Sequence, residues 1–302
     1  MKIYITNYLQ FKGEKGMRKR EYKDLLRFYG SDVREKSGGV MIYGEYSRDK
    51  LWGDENAYRT LNALLFDGYE NEKERIQKEN RQLNPVFIER LEDTLEIYTG
   101  IFSLMCENRN VDSSIKSVKR VDRLASLNAY TQGKTGSFVS CTKGDYQEEF
   151  SDKNQVILLE IEASLQSPYI DIQQLVSEKE YSNYSEQEVL FPPFLPLCTE
   201  QGILTKRETK MIKDMYGNPP VGKYILKMGN FPNYKEEITA SKDILYKKLV
   251  KGKSAAAASL EKMNKGYWEE KYKDYVEWKE NLHTYLKLVY SDMWYGEKIY
   301  GE

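Results

Sequence analysis

The chain has 302 residues, of which 40% are hydrophobic and 31% charged, a composition typical of a water-soluble globular protein. Its net charge of −1 argues against a molecule-wide field that would attract nucleic acid or an acidic membrane, so we expect no nucleic-acid partner. Three cysteines without a CxxC spacing and a single histidine, His283, argue against a disulfide framework and against a metal site, so we expect no metal.

The N-terminal stretch MKIYITNYLQFKGEKG has no apolar run long enough for a signal peptide. No part of the sequence approaches the ~20 consecutive apolar residues of a membrane span. We therefore expect a soluble protein without a membrane span. It would act in the cytoplasm of its own cell or enter a target cell by a route that needs no signal peptide.

Helices are predicted on the N-terminal side of the chain. Residues 1–50 give no clear pattern. A helix is predicted from Asp54, a good N-cap, to Asp67-Gly68, because apolar residues recur between them at helical spacing. A second helix is predicted to begin at Asn84-Pro85 and to carry an apolar stripe as far as Phe102.

After Asn108 the apolar period changes from about 3.6 toward 2, which predicts strands. They lack the alternation with helices that a parallel sheet needs, so the pattern indicates an α+β fold with mostly antiparallel sheets. The strand candidates are SIKSVKRV, SFVSCT, QVILLEIEA, YIDI and EQEVLF, with GILTKRE and GKYILKM as weaker ones.

The sequence becomes helical again after Phe231-Pro232. We predict one helix over EEITASKDILYKKLV, another over SAAAASLEKM with Ser254 as its cap, and a long one over residues 267–290. The predicted organisation is an N-terminal segment (1–50), a domain with the strands (51–231) and a C-terminal helical extension (232–302).

Three short polar signals lie on predicted strands of the middle domain. They are Arg120 in SVKRVDR, the triplet Ser140-Cys141-Thr142, and Glu186-Gln187-Glu188 just before VLFPP. Each signal alone is common and is usually found on a solvated strand. Their order and spacing together indicate a functional site.

In this order the three signals resemble the arginine-serine-glutamate class of mono-ADP-ribosyltransferases. That class includes binary-toxin enzymatic subunits, C3-like exoenzymes and vertebrate arginine-specific ectoenzymes. The resemblance covers about residues 50–230. It implies a core of two packed, mostly antiparallel sheets with N-terminal helices, NAD as co-substrate, and a role as a bacterial toxin or effector. Lys119 and Val121 flank Arg120 where the family often has an aromatic residue and a glycine, and Arg123 competes for the role of Arg120.

The resemblance also assigns roles on the NAD side of the site. Glu188 would stabilise the positive charge that develops on the ribose when the nicotinamide bond breaks. Ser140 would orient Glu188, and the planar guanidinium of Arg120 would bind the phosphates. The remaining residues expected to contact NAD are Val121, Thr142 and Phe150.

On the acceptor side, Glu186 implies transfer of ADP-ribose to an arginine of a target protein, with Tyr181 and Tyr184 recognising that protein. A guanidinium holds its proton at neutral pH, so a nearby carboxylate would assist it. Two alternatives stay open. The first is an NAD glycohydrolase, in which water is the acceptor at the same site, and the second is a non-catalytic interaction module that keeps only the fold.

Overall fold

The computed structural model describes Leu26, Tyr29 and residues 57–66, 82–107, 117–146, 155–164, 166–177, 186–267 and 272–296. The chain forms two compact units. The helical unit consists of residues 1–106 and 233–302, and the sheet unit consists of residues 107–232. The expected division into 1–50, 51–231 and 232–302 stays a prediction, and nearly all of the segment 1–50 lies outside the described residues.

The described residues form seven strands and eight helices, so the prediction of an α+β fold is confirmed. The strands are β1 Val118–Arg123, β2 Val139–Thr142, β3 Val156–Ala163, β4 Ile170–Asp171, β5 Glu188–Phe191, β6 Leu197–Gly202 and β7 Gly222–Met228. The helices are α1 Ala57–Leu65, α2 Val86–Glu89, α3 Leu91–Glu107, α4 Leu127–Tyr130, α5 Ile172–Leu175, α6 Lys206–Tyr216, α7 Lys242–Asn264 and α8 Lys273–Tyr295.

The strands lie in the order β4-β5-β2-β1-β3-β7-β6. All neighbours are antiparallel except β3 and β7, which run parallel. β1 and β2 share a single residue pair, Lys119 with Thr142, whereas β1 and β3 share six. The two sheets of the prediction are therefore two parts of one hydrogen-bonded sheet, joined by a narrow seam between β1 and β2.

Part of the sheet is covered by α6, which packs on an apolar cluster. The fully or nearly buried members of this cluster are Val121, Tyr146, Val156, Leu158, Ile212 and Tyr216. The prediction of a strand over GILTKRE was wrong, because α6 begins within it. Thr205 accepts a hydrogen bond from the Glu208 backbone N–H, and the Glu208 carboxylate accepts one from the Thr205 N–H, which is a complete capping box.

The helical unit has an aromatic core. Phe102 of α3 stacks on Tyr290 of α8 with 4.0 Å between ring centres, and the Tyr290 hydroxyl donates to the backbone carbonyl of Tyr98. The Trp278 indole N–H of α8 donates to the carbonyl of Leu249 in α7. Both polar atoms of these buried rings are therefore satisfied, so the rings stabilise the core without an unpaired group.

Two helix predictions in this unit were wrong in detail. α7 is one continuous helix that begins after the cap Ser241, so Ser254 lies in its interior and caps nothing there. The run of alanines favours helix at every position and gives no reason for a break. The helix predicted from Asn84-Pro85 is divided into α2 and α3 by Arg90, whose ψ of 51° is not helical. Within the described part of 232–302 there are only helices and turns.

Candidate functional site

The three polar signals come from three neighbouring strands of the sheet unit. Arg120 lies on β1, Ser140 on β2 and Glu188 at the start of β5, and these strands are consecutive in the sheet. Residues that are far apart in the sequence are thus brought to one region of the sheet. The roles expected for them remain predictions.

Glu188 is paired directly with Thr142 across β2 and β5, and Ser140 is paired with Leu190. Paired residues of antiparallel strands project to the same face, and so do residues two apart on one strand. Ser140, Thr142 and Glu188 therefore share a face of the sheet. Glu188 is only 7% exposed, so its carboxylate is held in a largely desolvated position.

Residues at the end of β2 bind backbone carbonyls of the turn formed by Glu186, Gln187 and Glu188. The Thr142 hydroxyl donates to the carbonyl of Glu186 at 2.7 Å, and the Lys143 N–H donates to the carbonyl of Gln187 at 3.1 Å. The same Thr142 hydroxyl accepts the Gly144 N–H at 3.0 Å. The Thr142 hydroxyl thus donates one hydrogen bond and accepts one, and its side chain acts as a positioning group for the turn that carries both glutamates.

Glu186 and Glu188 are not two positions of one extended strand. Gln187 between them has a φ of 51°, in the left-handed region that non-glycine residues seldom adopt, and Glu186 lies in a 3-10 turn. Strand alternation therefore does not place the two carboxylates on one face. Glu186 is half-buried where Glu188 is buried, so the two carboxylates have different surroundings.

Arg120 is held by two acceptors of the sheet unit. Its Nε donates to Asp122 Oδ2 at 2.9 Å, and its Nη1 donates to the carbonyl of Ser140 at 2.6 Å. Asp122 also accepts the Tyr130 hydroxyl at 2.7 Å. Burial acts to raise the pKa of Asp122, but the charge of Arg120 and the hydrogen bonds from Tyr130, Arg120 and Ser126 outweigh it and lower the pKa below its ordinary value. Asp122 is therefore ionised at neutral pH and compensates the charge of Arg120.

The contact between Arg120 and Ser140 explains how the seam is closed. Continuing the register beyond Lys119 and Thr142 would pair Val121 with Ser140, but the strands share no such pair. Instead the Arg120 guanidinium supplies a donor to the Ser140 carbonyl. Arg120 thus takes the place of a backbone donor and connects β1 to β2.

Alternation along β1 separates Arg120 from its competitor. Lys119 pairs with Thr142, so the side chains of Lys119, Val121 and Arg123 lie on the same face as that of Thr142. Arg120 and Asp122 lie on the other face. The Val121 side chain is 1% exposed within the apolar cluster beneath α6, so it has little surface for a ligand. Arg123 is half-buried. The choice between Arg120 and Arg123 as the phosphate-binding arginine stays a prediction.

An ion pair that sequence reasoning missed lies on the opposite face of the sheet from Glu188. Lys143 Nζ donates to both carboxylate oxygens of Asp171, at 2.8 and 2.7 Å. Asp171, on β4, is only 5% exposed and is paired in register with Val189, the residue after Glu188. Lys143 thus joins the ends of β2, β4 and β5, through its N–H to the Gln187 carbonyl and through its ammonium to Asp171. Its position directly after Ser140-Cys141-Thr142 was the available signal, but nothing in the sequence identified Asp171 as its partner.

Phe150, Tyr181 and Tyr184 lie outside the described residues, so the structure does not place them. Among the described residues, no group of three or more His, Cys, Asp or Glu side chains is arranged to hold a metal ion. In the same part of the chain, no helix combines the length and the apolarity needed to cross a membrane.

No protein-family model matches the sequence, and no curated protein matches it. Some solved structures do match. The catalytic domain of VahC from Aeromonas hydrophila is 12% identical, with 70% of this chain and 98% of that chain covered and a TM-score of 0.36. Vis toxin, an ADP-ribosyltransferase from Vibrio splendidus, is 13% identical, with 74% and 83% covered and a TM-score of 0.29. The ADP-ribosyltransferase Vis in complex with agmatine is also 13% identical, with 73% and 88% covered and a TM-score of 0.28. Because these TM-scores are low, we take no function from the likeness.

Proposed function

We propose that this protein is a mono-ADP-ribosyltransferase that cleaves NAD at the nicotinamide–ribose bond and transfers ADP-ribose to an arginine of a target protein, as a toxin or effector. The observation that carries the proposal is the placement of Ser140 and the buried Glu188 on one face of two paired strands, with Arg120 on the next strand bound to the Ser140 carbonyl. Their order in the sequence resembles the arginine-serine-glutamate class.

Glu188 is the residue that we assign to bond cleavage. NAD supplies a glycosidic bond from a ribose to a positively charged nicotinamide, which is a good leaving group. A carboxylate beside that ribose stabilises the positive charge that develops as the bond breaks, and it does so more strongly where water is excluded. The 7% exposure of Glu188 supports this role, because little solvent screens its carboxylate.

Ser140 and Thr142 are assigned to the orientation of Glu188. Thr142 is its cross-strand partner, and Ser140 is its diagonal neighbour on the same face. Diagonal neighbours of an antiparallel pair lie about 7–8 Å apart at Cα, within reach of a glutamate side chain. The Ser140 hydroxyl can therefore meet both the carboxylate and a ribose hydroxyl, as the resemblance implies.

Glu186 is assigned to the acceptor. Its carbonyl is fixed by Thr142, and the left-handed Gln187 separates its surroundings from those of Glu188. Two carboxylates in different surroundings suit two separate tasks, charge stabilisation at the ribose and orientation of a guanidinium. Tyr181 and Tyr184 precede this turn in the sequence, and we propose that they contact the target protein.

Incubation of the full chain with NAD labelled in its adenylate part, with and without a cell lysate, tests the proposed function. A transferase places label on protein, and mass spectrometry should locate the modification on arginine. A glycohydrolase releases free ADP-ribose without labelling protein, and an interaction module does neither. Modification of another residue type would refute the arginine assignment but not the transferase.

Glu186→Gln separates the acceptor step from NAD cleavage. The substitution keeps the shape of the side chain and removes its charge, so transfer to protein should fall by a factor on the order of 10² while slow NAD hydrolysis continues. Both activities are measured on the same preparation. An equal loss of the two would show that Glu186 does not act specifically on the acceptor.

A further inference from the structure

The outward side of α7 carries a row of lysines that we call the lysine stripe. At 100° per residue, seven exposed residues of α7 fall within an arc of about 100°. They are Ile244, Lys247, Lys248, Lys251, Ala255, Ala258 and Lys262. With a rise of about 1.5 Å per residue, the four lysines extend over about 22 Å along the helix.

The stripe has no acidic member. The two acidic residues of α7, Asp243 and Glu261, fall outside the arc, about 40° beyond the edge that Lys247 marks. Within the part of the chain that the structure describes, none of the four stripe lysines forms an ion pair with a carboxylate. Lysines on other sides of the same helix do, since Lys253 lies 3.8 Å from Glu92 and Lys242 is paired with Asp292. The positive charges of α7 are therefore segregated, with the uncompensated ones facing outward.

We propose that the lysine stripe docks the protein on a membrane surface that carries anionic lipids. A net charge near zero does not exclude such a patch. Exposed charges act only within a Debye length of about 10 Å at 0.1 M salt, so a local cluster of lysines can attract a surface whatever the charge of the rest of the protein. Clusters of four to eight basic residues on one side of a helix are attracted to the negative surface potential of anionic lipids. The stripe has this composition and lies along a single line of the helix.

The membrane is favoured over a nucleic acid by the other members of the stripe. Ile244 is 55% exposed among the lysines, and a large apolar side chain there can enter the lipid interface. Nucleic-acid surfaces rely on arginine forks for phosphates and bases and on aromatic rings for stacking. The stripe contains neither arginine nor an aromatic residue, and its cations are the point charges of lysine.

The expected size of the effect follows from the charge count. Each lysine near an anionic surface contributes about a fivefold gain in affinity. Replacement of Lys247, Lys248 and Lys251 together should therefore weaken vesicle binding about 100-fold. Glutamine is a good helix former, so the triple variant should keep α7 intact.

The experiment is co-sedimentation of the full chain with phosphatidylcholine vesicles that contain or lack about 30% phosphatidylserine. We expect binding only with phosphatidylserine, loss of binding when salt is raised from 0.1 to 1 M, and the 100-fold loss in K247Q/K248Q/K251Q. The variant K247R/K248R/K251R should bind as the wild type does. I244S should bind less tightly, because the apolar contribution is lost.

The matched control is K206Q/K210Q/K213Q, which removes three exposed lysines from α6 in the sheet unit and changes the net charge equally. It should bind the vesicles as the wild type does. Equal losses in the two triple variants, equal binding to both vesicles, or no vesicle binding would overturn the proposal. Stripe-dependent binding to RNA without vesicle binding would also overturn it and would assign the stripe to nucleic acid. Circular dichroism of every variant separates these outcomes from misfolding.

Discussion

The sheet unit and the helical unit use their charged side chains in opposite ways. Around the candidate site, the carboxylates of Asp122 and Asp171 are about 95% buried, and each is held by a specific cation. On the lysine stripe, the cations are exposed and uncompensated among the described residues. Buried pairs fix neighbouring groups in place and are weakly screened by salt, whereas exposed charges act at a distance and are strongly screened. In the sheet unit the charged pairs therefore serve to position neighbouring groups, whereas on the lysine stripe the number of charges per unit of surface decides the interaction.

The largest expected effect is on the free energy of unfolding, and it distinguishes the aromatic core of the helical unit from its charged surface. Phe102→Ala removes a buried ring that stacks on Tyr290, so the free energy of unfolding should fall by about 3–5 kcal/mol. K247Q/K248Q/K251Q should change the same free energy by less than about 0.5 kcal/mol. Urea unfolding followed by tryptophan fluorescence measures both. A stability loss in the lysine variant comparable to that of Phe102→Ala would refute the view that the stripe contributes nothing to folding.

In the sheet unit, Glu188→Gln keeps the shape of the side chain and removes its charge. Turnover of NAD should fall by a factor on the order of 10² or more, with NAD affinity nearly unchanged, because the charge acts on the transition state. Single-turnover kinetics and equilibrium binding measure the two quantities. Unchanged turnover would exclude Glu188 as the residue that stabilises the developing charge.

Removal of the cation beside Asp171 tests the positional role of the buried pair. Lys143→Met leaves the Asp171 carboxylate buried without that partner, and the free energy of unfolding should fall by about 2 kcal/mol. This is less than for a fully buried pair, because 26% of the Lys143 side chain is exposed. The control is Lys143→Met with Asp171→Asn, which should recover much of the loss. A single variant as stable as the wild type would show that the pair is not needed to join these strand ends.

The smallest expected effect concerns the arginine of β1. Arg120→Lys replaces a planar fork by a point charge, so NAD affinity should fall on the order of tenfold. Arg123→Lys is the matched control, since it is the other arginine of the strand. Isothermal titration calorimetry with NAD compares them. A defect in Arg123→Lys alone would assign the phosphates to the residue on the face of Thr142.

Local patterns predicted the fold well where local interactions decide it. Period-two apolar runs identified β1, β2, β3 and β5, and helical spacing identified α1 and α3, because these patterns follow directly from burial on one face. The first turn of α6 was taken for the end of a strand, although Thr205 and Glu208 have the spacing of a capping box, because the apolar residues before them suggested a strand. The parallel pairing of β3 with β7 depends on contacts between distant segments, which a single sequence does not reveal.

The candidate site was predictable in its residue types but not in its geometry. Ser140 and Glu188 were identified from short motifs, and the sheet places them on neighbouring strands. The left-handed Gln187 was not foreseen, because glutamine gives no local signal for positive φ. The partners of Arg120 and Lys143 were also missed, because the sequence does not show which carboxylate pairs with each cation, whether that carboxylate is 2 residues away, as Asp122 is, or 28, as Asp171 is.

The seam between β1 and β2 has a consequence for how the site tolerates mutation. Because β1 and β2 pair only at Lys119 and Thr142, the other backbone N–H and C=O groups along the seam do not bond across it in a regular register. The Ser140 carbonyl instead accepts a hydrogen bond from the Arg120 side chain. Backbone N–H and C=O groups are the same for every amino acid except proline, which lacks the N–H. A ligand that is recognised through such groups is therefore insensitive to most substitutions around it. Substitutions along the seam would leave its backbone donors and acceptors in place, but a change at Arg120 would also remove the side-chain donor to the Ser140 carbonyl.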